Sequence, residues 1–304
     1  MFTISAIVPN YNHSRYLRES IEGLANQTFP PVEIIIVDDA SIDNSWEVLQ
    51  ELKRQIPQIQ LLRNESNLGP YRTAFRGIAL AKGAFLALCA ADDMLFPNAF
   101  EEYSKIVSDK DFDVGICTSD PVLFMDERPY KYVRSPVLKT RDSQIFSADK
   151  TIFNCRNNDF TIFSSAAIYR KDIFLKYGYD ESLNCFSDFY LNCQIALNHS
   201  VAYVPKGLGA FRVVAESYSQ KARKNFRLRT ASALSFFKKL DAEPTQIKKK
   251  FKKSGILSCG GYFFLLFLIL HPRSSKYIPS MIWGVFRKKI KIFVENLKKR
   301  RPLG

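Results

Sequence analysis

Residues 32–39 read VEIIIVDD, an apolar run that stops on two adjacent carboxylates. Its central residues, 34 to 37, show no alternation of apolar and polar side chains, which predicts a strand buried on both faces. Strands of this kind occur in parallel sheets that helices cover on either side. The fold therefore depends on whether helices flank this strand.

Helical patterns and apolar runs do alternate around it. Apolar runs occupy residues 3–9, 59–64 and 84–90, and the stretches between the runs, at about 13–26, 43–55 and 71–81, have helical spacing of apolar residues. Strands separated by helices of this length form parallel sheets. We predict an α/β fold with a Rossmann-like, mainly parallel sheet and helices on both faces.

The predicted strand ends carry unusual residues. They are, in chain order, Pro9 and Tyr11 after the first strand, Asp38 and Asp39 after the second, and Asp92 and Asp93 after the fourth. Either Asp pair alone is also typical of a turn. Because ligands bind beyond the carboxyl ends of parallel strands, their repetition at three strand ends favours a binding site at one rim of the sheet.

Asp92 and Asp93 predict a site for a hard divalent cation. No His stands at metal-ligand spacing around them, and a carboxylate pair suits Mg²⁺ or Mn²⁺ rather than zinc. Substrate phosphates commonly complete the shell of such an ion. The chain has no G-x-x-x-x-G-K-[ST] or G-x-G-x-x-G loop, which argues against a P-loop or dinucleotide site.

Composition indicates a globular intracellular chain. Hydrophobic residues make up 46% of the 304 residues, and the six cysteines include no C-x-x-C pair, which is typical of reduced thiols. A strand-like run follows Met1 directly, without the basic and apolar segments of a leader, so we expect no secretory export.

Three segments resemble family 2 glycosyltransferases, which have the GT-A fold. They are SAIVPNYNHSRYLRESIEGLANQTFPPVEIIIVDDASIDNSWEVL, NESNLGPYRTAFRGIALAKGAFLALCAADDMLFP and YGYDESLNCFSDFYLNCQIAL, in the family's order and spacing over about residues 3 to 220. The resemblance implies an inverting, metal-dependent transfer of a sugar from a nucleoside-diphosphate donor to an acceptor hydroxyl.

The resemblance also implies the donor-binding residues. Pro9, Tyr11 and Asp39 match positions that hold the nucleoside, and Asp38 stands beside them in the same motif. Asp92 matches the D-x-D region that touches the ribose. These five residues are the predicted nucleotide-binding set.

The metal site and the catalytic base follow from the same comparison. Asp92 and Asp93 match the acidic pair that holds the divalent cation, and Asp188 matches the general base that takes the acceptor's proton. We expect Asp188 in the first turn of a helix, where the helix N-terminus keeps a carboxylate ionised. The alternative is an ordinary helix charge beside an N-cap at Ser187.

Several positions depart from the family pattern. Ala90 replaces the first carboxylate of D-x-D-D, Ser187 the usual Glu, Ala74 and Phe75 an Arg-Asn pair, and Val214 a His. Arg72 or Arg76 is either a replacement cation for the phosphates or a solvated helix charge. The alternative function is therefore a catalytically weak, nucleotide-sugar-binding or scaffolding subunit of the same fold.

The C-terminal part of the chain is strongly basic. Residues 221–304 hold 22 Lys and Arg against 3 Asp and Glu, whereas residues 1–220 hold 22 against 27. The uncharged run at 255–270 is short for a spanning helix, which needs about 20 apolar residues. Basic clusters on both of its sides favour a shallow hairpin or interfacial segments on an anionic membrane, while the alternative is a helical cap on the domain.

We therefore predict two regions: a GT-A domain at 1–220 and a basic, partly apolar helical tail at 221–304 that associates with a membrane. The uninterrupted apolar block argues against nucleic acid as the partner of the basic residues. The expected acceptor is a saccharide, lipid-linked, in surface-polysaccharide assembly. The expected location is the cytoplasmic face of the plasma membrane, with the protein bound peripherally.

Overall fold

The computed structural model describes residues 2–107, 113–158, 160–213 and 224–282. Its first part is the predicted succession of parallel strands and helices. The strands lie in the order β3-β2-β1-β4 and are β1 (Ile4–Asn10), β2 (Glu33–Asp38), β3 (Ile59–Arg63) and β4 (Phe85–Leu88). The helices between them are α1 (Ser14–Ala25), α2 (Ser45–Gln55) and α3 (Pro70–Ile78).

Strand β2 is buried on both faces, as its apolar run predicts. Ile34 and Ile36 pack in one core with the apolar faces of α1 and α2, whereas Ile35 and Val37 pack in another with α3. Helix α3 approaches the sheet closely because Gly77 has no side chain, and a Cβ there would lie 2.8 Å from Ile7 Cγ2. The prediction of a sheet covered on both faces is confirmed.

The second half of the sheet is mixed and departs from the prediction in detail. It contains β5 (Met94–Leu95), β6 (Val114–Met125), β7 (Tyr132–Arg134), β8 (Gln144–Phe146), β9 (Ala167–Arg170) and β10 (Ser200–Val213). β9 runs antiparallel between β4 and β6, and β10 runs parallel to β6.

The polar sequence at 126–145, with Pro129 and Pro136, predicts a long loop, which is wrong in part because that region contributes β7 and the start of β8. These short strands form by pairing with β6 and β10, which lie far away in sequence. The sequence TIFSSAAIYR at 161–170 predicts a strand, but the strand observed there is shorter, since a 3-10 turn at Ser164–Ala166 precedes β9. Long-range pairing, which sequence periodicity does not report, causes these differences.

The remaining helices of this region are α4 (Ala99–Val107), α5 (Ala148–Asn158), α6 (Lys171–Tyr177) and α7 (Ser187–Ala196). A 3-10 segment, Glu181–Phe186, leads into α7. The predicted N-cap at Ser187 is wrong: Ser187 is the first residue of the helix, and its hydroxyl accepts the Asp180 N–H at 2.8 Å.

Three C-terminal helices pack on this body: α8 (Phe226–Ala242), α9 (Thr245–Ser254) and α10 (Gly261–Leu270). They share one hydrophobic cluster with α5 and α7, in which Phe236, Phe237 and Phe264 are fully buried. The apolar run at 255–270 is divided between a 3-10 turn and α10, with one side packed in this cluster.

None of the helices within the described ranges combines the length and the apolar character that a membrane crossing requires. The predicted boundary at 220 and the basic segment beyond residue 286 lie outside the described residues.

Candidate functional site

The loops that follow β1 and β2 are interlocked by hydrogen bonds. Asn10 Nδ2 donates to Asp38 Oδ1 at 2.8 Å, and the Asn12 backbone N–H donates to Ser41 Oγ at 3.0 Å. Asn12 and Ala40 both have φ of +57°, a left-handed conformation that costs a non-glycine residue about 1 kcal/mol and persists only when its surroundings hold it. The loops are therefore built into a fixed shape at the carboxyl ends of the strands.

Asp38 lies beneath this rim rather than on it. Its carboxylate is fully buried and accepts hydrogen bonds from Asn10 and from both the backbone N–H and the hydroxyl of Ser41. Arg63 lies 3.3 Å from it as an ion-pair partner. Its contacts give Asp38 a role in shaping the loop, and its predicted contact with the nucleotide stays a prediction.

Asp39 holds the loop that leads into α3. Its Oδ1 accepts from Asn64 Nδ2 at 2.6 Å and from the Leu68 N–H at 2.8 Å, and its Oδ2 accepts from the Gly69 N–H at 2.9 Å. The residue is only 3% exposed. A nucleoside that hydrogen-bonds to Asp39 must therefore share these oxygens with the backbone of residues 68 and 69.

Pro9 and Tyr11 complete the predicted nucleoside site at the end of β1. Pro9 is half-buried and is the penultimate residue of β1. Tyr11 follows it with its ring 40% exposed. An exposed aromatic ring beside a rigid loop suits stacking against a planar base.

Asp92 and Asp93 follow β4, as predicted, and both are half-buried. Asp93 Oδ1 accepts the Arg212 N–H at 3.0 Å, and Ser165 also hydrogen-bonds to this carboxylate. Burial, together with the charge of Asp92, raises the pKa of Asp93 to about 7 despite these donors. The pair is a set of hard oxygen ligands whose mutual repulsion a cation would relieve.

The pair fits a divalent cation that its substrate helps to hold. Within the described residues, no group of three or more His, Cys, Asp or Glu side chains could hold a metal ion. Two carboxylates are enough for Mg²⁺, which keeps waters and takes the remaining oxygens from phosphates. The absence of a carboxylate at Ala90 is consistent with this minimal set.

Arg212 is a site residue that the sequence analysis missed. Its side chain is 1% exposed, and its guanidinium donates to Glu19 at 2.7 Å, to Asp126 at 2.7 Å and to the Asp92 carbonyl at 2.9 Å. This buried cation joins the Asp92 loop to α1 and to the end of β6. The only signal in the sequence is one arginine inside the apolar run at 208–214.

Asp188 lies in the first turn of α7, as predicted. Tyr179 hydrogen-bonds to its carboxylate, and the Tyr169 ring lies close enough for the two groups to interact electrostatically. Burial raises the pKa of Asp188 to about 6, against the opposing effect of the Tyr179 hydrogen bond. The group is therefore ionised at neutral pH and has a pKa suited to accepting a proton.

Two series of contacts link the surroundings of Asp188 to those of Asp39 and Asp93. Helix α3 starts beside Asp39, and the hydroxyl of its Tyr71 donates to the Asn184 carbonyl at 2.7 Å. The centroid of the Tyr71 ring lies 4.9 Å from that of the Tyr179 ring. On the other side, Ser164 accepts from Asn192 of α7 at 3.2 Å, next to the serine that bonds Asp93.

The two candidate replacement cations, and one of the residues that depart from the family pattern, contact other residues of the protein. Arg72 forms an ion pair with Glu181 at 2.7 Å, and Arg76 donates to the Arg63 carbonyl at 2.9 Å. Phe75 packs at 5.8 Å from Tyr179. Val214 lies outside the described residues. Both candidate replacement cations therefore already have partners within the protein, Arg72 a carboxylate and Arg76 a backbone carbonyl.

A cleft in the described part of the protein lies away from this rim. It has a volume of about 300 Å³ and is lined by residues at the amino ends of the strands, including Thr3, Glu33 and Lys82. The Glu33 carboxylate there accepts from Ser5 at 2.6 Å and Gln60 at 2.7 Å. Its polar groups serve the protein itself, so the chemistry is better placed at the opposite rim.

Comparison with known proteins identifies the family and the fold. The model of the family described as "Glycosyl transferase family 2" matches residues 5–178. Glycosyltransferase GlyG of Streptococcus pneumoniae serotype 4 is 37% identical over 113 residues, which are 37% of this chain and 38% of GlyG. The chain thus matches little more than a third of this curated relative's length.

Solved structures confirm the predicted GT-A fold. TarS 1–349 of S. aureus in complex with UDP-GlcNAc superposes with a TM-score of 0.68 at 17% identity, over 93% of this chain and 82% of that one. Mannosyltransferase PcManGT of Pyrobaculum calidifontis in complex with GDP-Man and Mn²⁺ superposes with a TM-score of 0.60 at 14% identity, over 98% and 81%.

Proposed function

This chain belongs to glycosyl transferase family 2, and we propose that it transfers a sugar from a nucleoside-diphosphate donor to an acceptor hydroxyl with inversion at the anomeric carbon. The observation that carries the proposal is the half-buried Asp188, with a pKa of about 6, in a fold whose strand ends carry the exposed Tyr11 and the carboxylate pair Asp92 and Asp93. A base, a stacking surface and a phosphate-metal site are the parts that this reaction requires.

The proposed reaction uses each part once. The nucleoside binds at the loops after β1 and β2, with the base against Tyr11 and Asp39 as hydrogen-bond acceptor. Asp188 takes the proton from the acceptor hydroxyl while the acceptor oxygen bonds to the anomeric carbon. The bond from that carbon to the diphosphate oxygen breaks on the opposite face, so the configuration inverts and the nucleoside diphosphate leaves with the bonding electrons.

Asp92 and Asp93 would hold Mg²⁺ or Mn²⁺ in this proposal. When bound, such an ion supplies electrostatic stabilisation of the charge on the leaving diphosphate. The protein's own contribution is to hold the Asp93 carboxylate, to which the Arg212 N–H and Ser165 hydrogen-bond, and the Asp92 backbone, whose carbonyl accepts from the Arg212 guanidinium.

Calorimetry tests the donor site directly. We expect UDP, GDP or dTDP to bind, more tightly with Mn²⁺ than without, and we expect Asp92→Asn to lose the metal-dependent part. The matched control is Asp149→Asn, at an exposed carboxylate in the first turn of α5. Absent binding, or equal binding with and without Mn²⁺, would contradict the metal-dependent proposal.

The alternative is a donor-binding or scaffolding subunit without turnover. Ala90 and Ser187 favour it, because each removes a carboxylate that the family usually has. Release of nucleoside diphosphate from the donor separates the two: wild-type turnover that Asp188→Asn abolishes supports the enzyme. Donor binding without turnover by the wild type supports the subunit.

The acceptor is proposed to be a lipid-linked saccharide in surface-polysaccharide assembly, reached at the cytoplasmic face of the plasma membrane. The supporting observation is an exposed apolar stripe on α10, formed by Leu266, Ile269 and Leu270, which are 51%, 59% and 63% exposed. Lys276 lies exposed just beyond this helix. An apolar stripe beside this lysine, which also forms an ion pair with Asp241 at 2.8 Å, suits an anionic bilayer surface, where each Lys adds about 1 kcal/mol.

Vesicle flotation tests this membrane proposal. We expect the full chain to float with phosphatidylglycerol vesicles and to float less with neutral phosphatidylcholine. Replacing the three stripe residues by Ser would reduce flotation, whereas Leu175→Ser, at a side chain 53% exposed on α6, would not. Equal flotation of the stripe variant and the control would contradict the proposed surface.

A further inference from the structure

The residue that stands in place of the family's usual Glu has a defined role in this chain. Ser187 is 1% exposed, and its hydroxyl accepts the backbone N–H of Asp180 at 2.8 Å. This bond closes residues 180–187 into a loop whose last residue directly precedes Asp188. Ser187 thus acts on the backbone rather than as a second acid or base.

The same loop is tied to the C-terminal helix α8 by charge. Lys239 Nζ forms an ion pair with Asp180 Oδ2, and the other oxygen of Asp180 accepts the Ser182 N–H at 3.0 Å and the Ser182 hydroxyl at 2.6 Å. Lys239 also lies over the Tyr190 ring at 5.4 Å. One cation therefore contacts the chain on both sides of Asp188, in the loop before it and in the helix after it.

The position of Lys239 is itself fixed by packing. Its neighbours Phe236 and Phe237 are fully buried, and Phe236 packs at 6.0 Å from Phe189 and 5.2 Å from Tyr190. Just past the end of α8, Glu243 accepts from the Tyr190 hydroxyl at 2.6 Å. Helix α8 is thus held against the base-bearing helix independently of the ion pair.

The loop needs such a constraint because its backbone is unfavourable. Asn184 has φ of +44° and ψ of −122°, a conformation that L-residues rarely adopt and that surrounding contacts must impose. Tyr71 holds its carbonyl from the donor side of the site, at 2.7 Å. The ion pair with Lys239 holds the loop from the opposite, C-terminal side.

We propose that Lys239 and Asp180 are positioning residues for catalysis, which hold the loop closed by Ser187 and thereby set the place of the Asp188 carboxylate. The inference rests on the proposed function and extends it to the C-terminal helices. Those helices then complete the reacting site in addition to any contact with a membrane.

Hydrogen exchange in the full-length protein tests the contact without requiring turnover. In Lys239→Met, which keeps the aliphatic stem, we expect the amides of residues 180–187 to exchange about tenfold faster, because losing a charged hydrogen bond lowers the cost of opening by about 1.4 kcal/mol. Lys238→Met is the matched control, since Lys238 is the neighbouring residue on α8 and is exposed. Asp180→Asn reaches the same contact from the loop side and should give the same increase.

Kinetics then separate positioning from mere support of the fold. With UDP-GlcNAc or GDP-mannose, whichever the wild type turns over, we expect Lys239→Met to lower kcat about 100-fold, the cost of a misplacement of about 1 Å, with KM for the donor unchanged. Lys239→Arg keeps the charge and should restore most of kcat.

Two results would overturn the proposal: equal exchange and kcat in Lys239→Met and Lys238→Met, or a loss of stability in Lys239→Met without a change in kcat. Failure of the proposed function itself would be seen separately, as absent turnover in the wild type before any variant is compared.

Discussion

Replacing the proposed base by its neutral isostere should make the protein more stable and inactive at once. Burial raises the pKa of Asp188 from 3.8 to about 6. A shift of two units corresponds to about 3 kcal/mol by which the fold disfavours the ionised carboxylate. Because the side chain is only half-buried, solvent screening reduces the expected gain for Asp188→Asn to about 1–2 kcal/mol.

The stability gained by Asp188→Asn should increase as the pH rises. A carboxyl with a raised pKa in the folded state costs nothing below its unfolded pKa, where it is protonated in both states. The cost grows as the pH rises from about 4 to about 6 and is complete above that range. We therefore expect the stability difference between Asp188→Asn and wild type to be near zero at pH 4 and largest at pH 7 to 8.

Urea unfolding across this pH range measures the effect, with donor turnover recorded on the same samples. The matched control is Asp172→Asn, whose carboxylate is 67% exposed and should change stability by less than about 0.5 kcal/mol. Two outcomes would refute the reasoning: no stabilisation by Asp188→Asn at pH 8, or a stabilisation that does not shrink between pH 6 and pH 4.

Three further predictions follow from the same contacts. Turnover should fall about tenfold per pH unit below pH 6, as Asp188 takes up its proton, and a flat profile down to pH 5 would contradict its role. Tyr179→Phe removes a hydrogen bond that favours the ionised carboxylate, so this acid limb should move to higher pH, and an unmoved limb would show that the bond is unimportant. Arg212→Met leaves Glu19 and Asp126 without their buried cation and should lower the free energy of unfolding by about 2–4 kcal/mol in urea, whereas an unchanged midpoint would show that the network is replaceable.

The parallel half of the fold could be predicted because its signals are local. The run at 34–37 has no polar alternation, and the apolar stripes of α1 and α2 match one face of it. β7 and β8 could not be predicted, because three-residue strands depend on partners in β6 and β10 that no local pattern reveals.

The positions of the candidate site residues were predictable where sequence motifs mark the end of a strand or the start of a helix. Asp92, Asp93 and Asp188 lie where the motifs place them, with surroundings that suit their proposed roles. The motif did not show that the Asp38 and Asp39 carboxylates are both buried, since their hydrogen-bond partners lie in loops that come together only in the fold. Arg212 was missed because its partners Glu19, Asp92 and Asp126 come from three separate parts of the chain.

The packing of α8 and α9 on α7 means that the family match covers less of the chain than the structural unit that supports Asp188. The family match ends at residue 178, before Asp188 is reached. A fragment ending near residue 220 would keep Asp188 but leave the Tyr190 ring uncovered, since Phe236 and Phe251 normally pack against it at 5.2 and 5.9 Å. Fragments for biochemistry should therefore include α8 and α9, and inactivity of a shorter piece would say nothing about the chemistry of the whole.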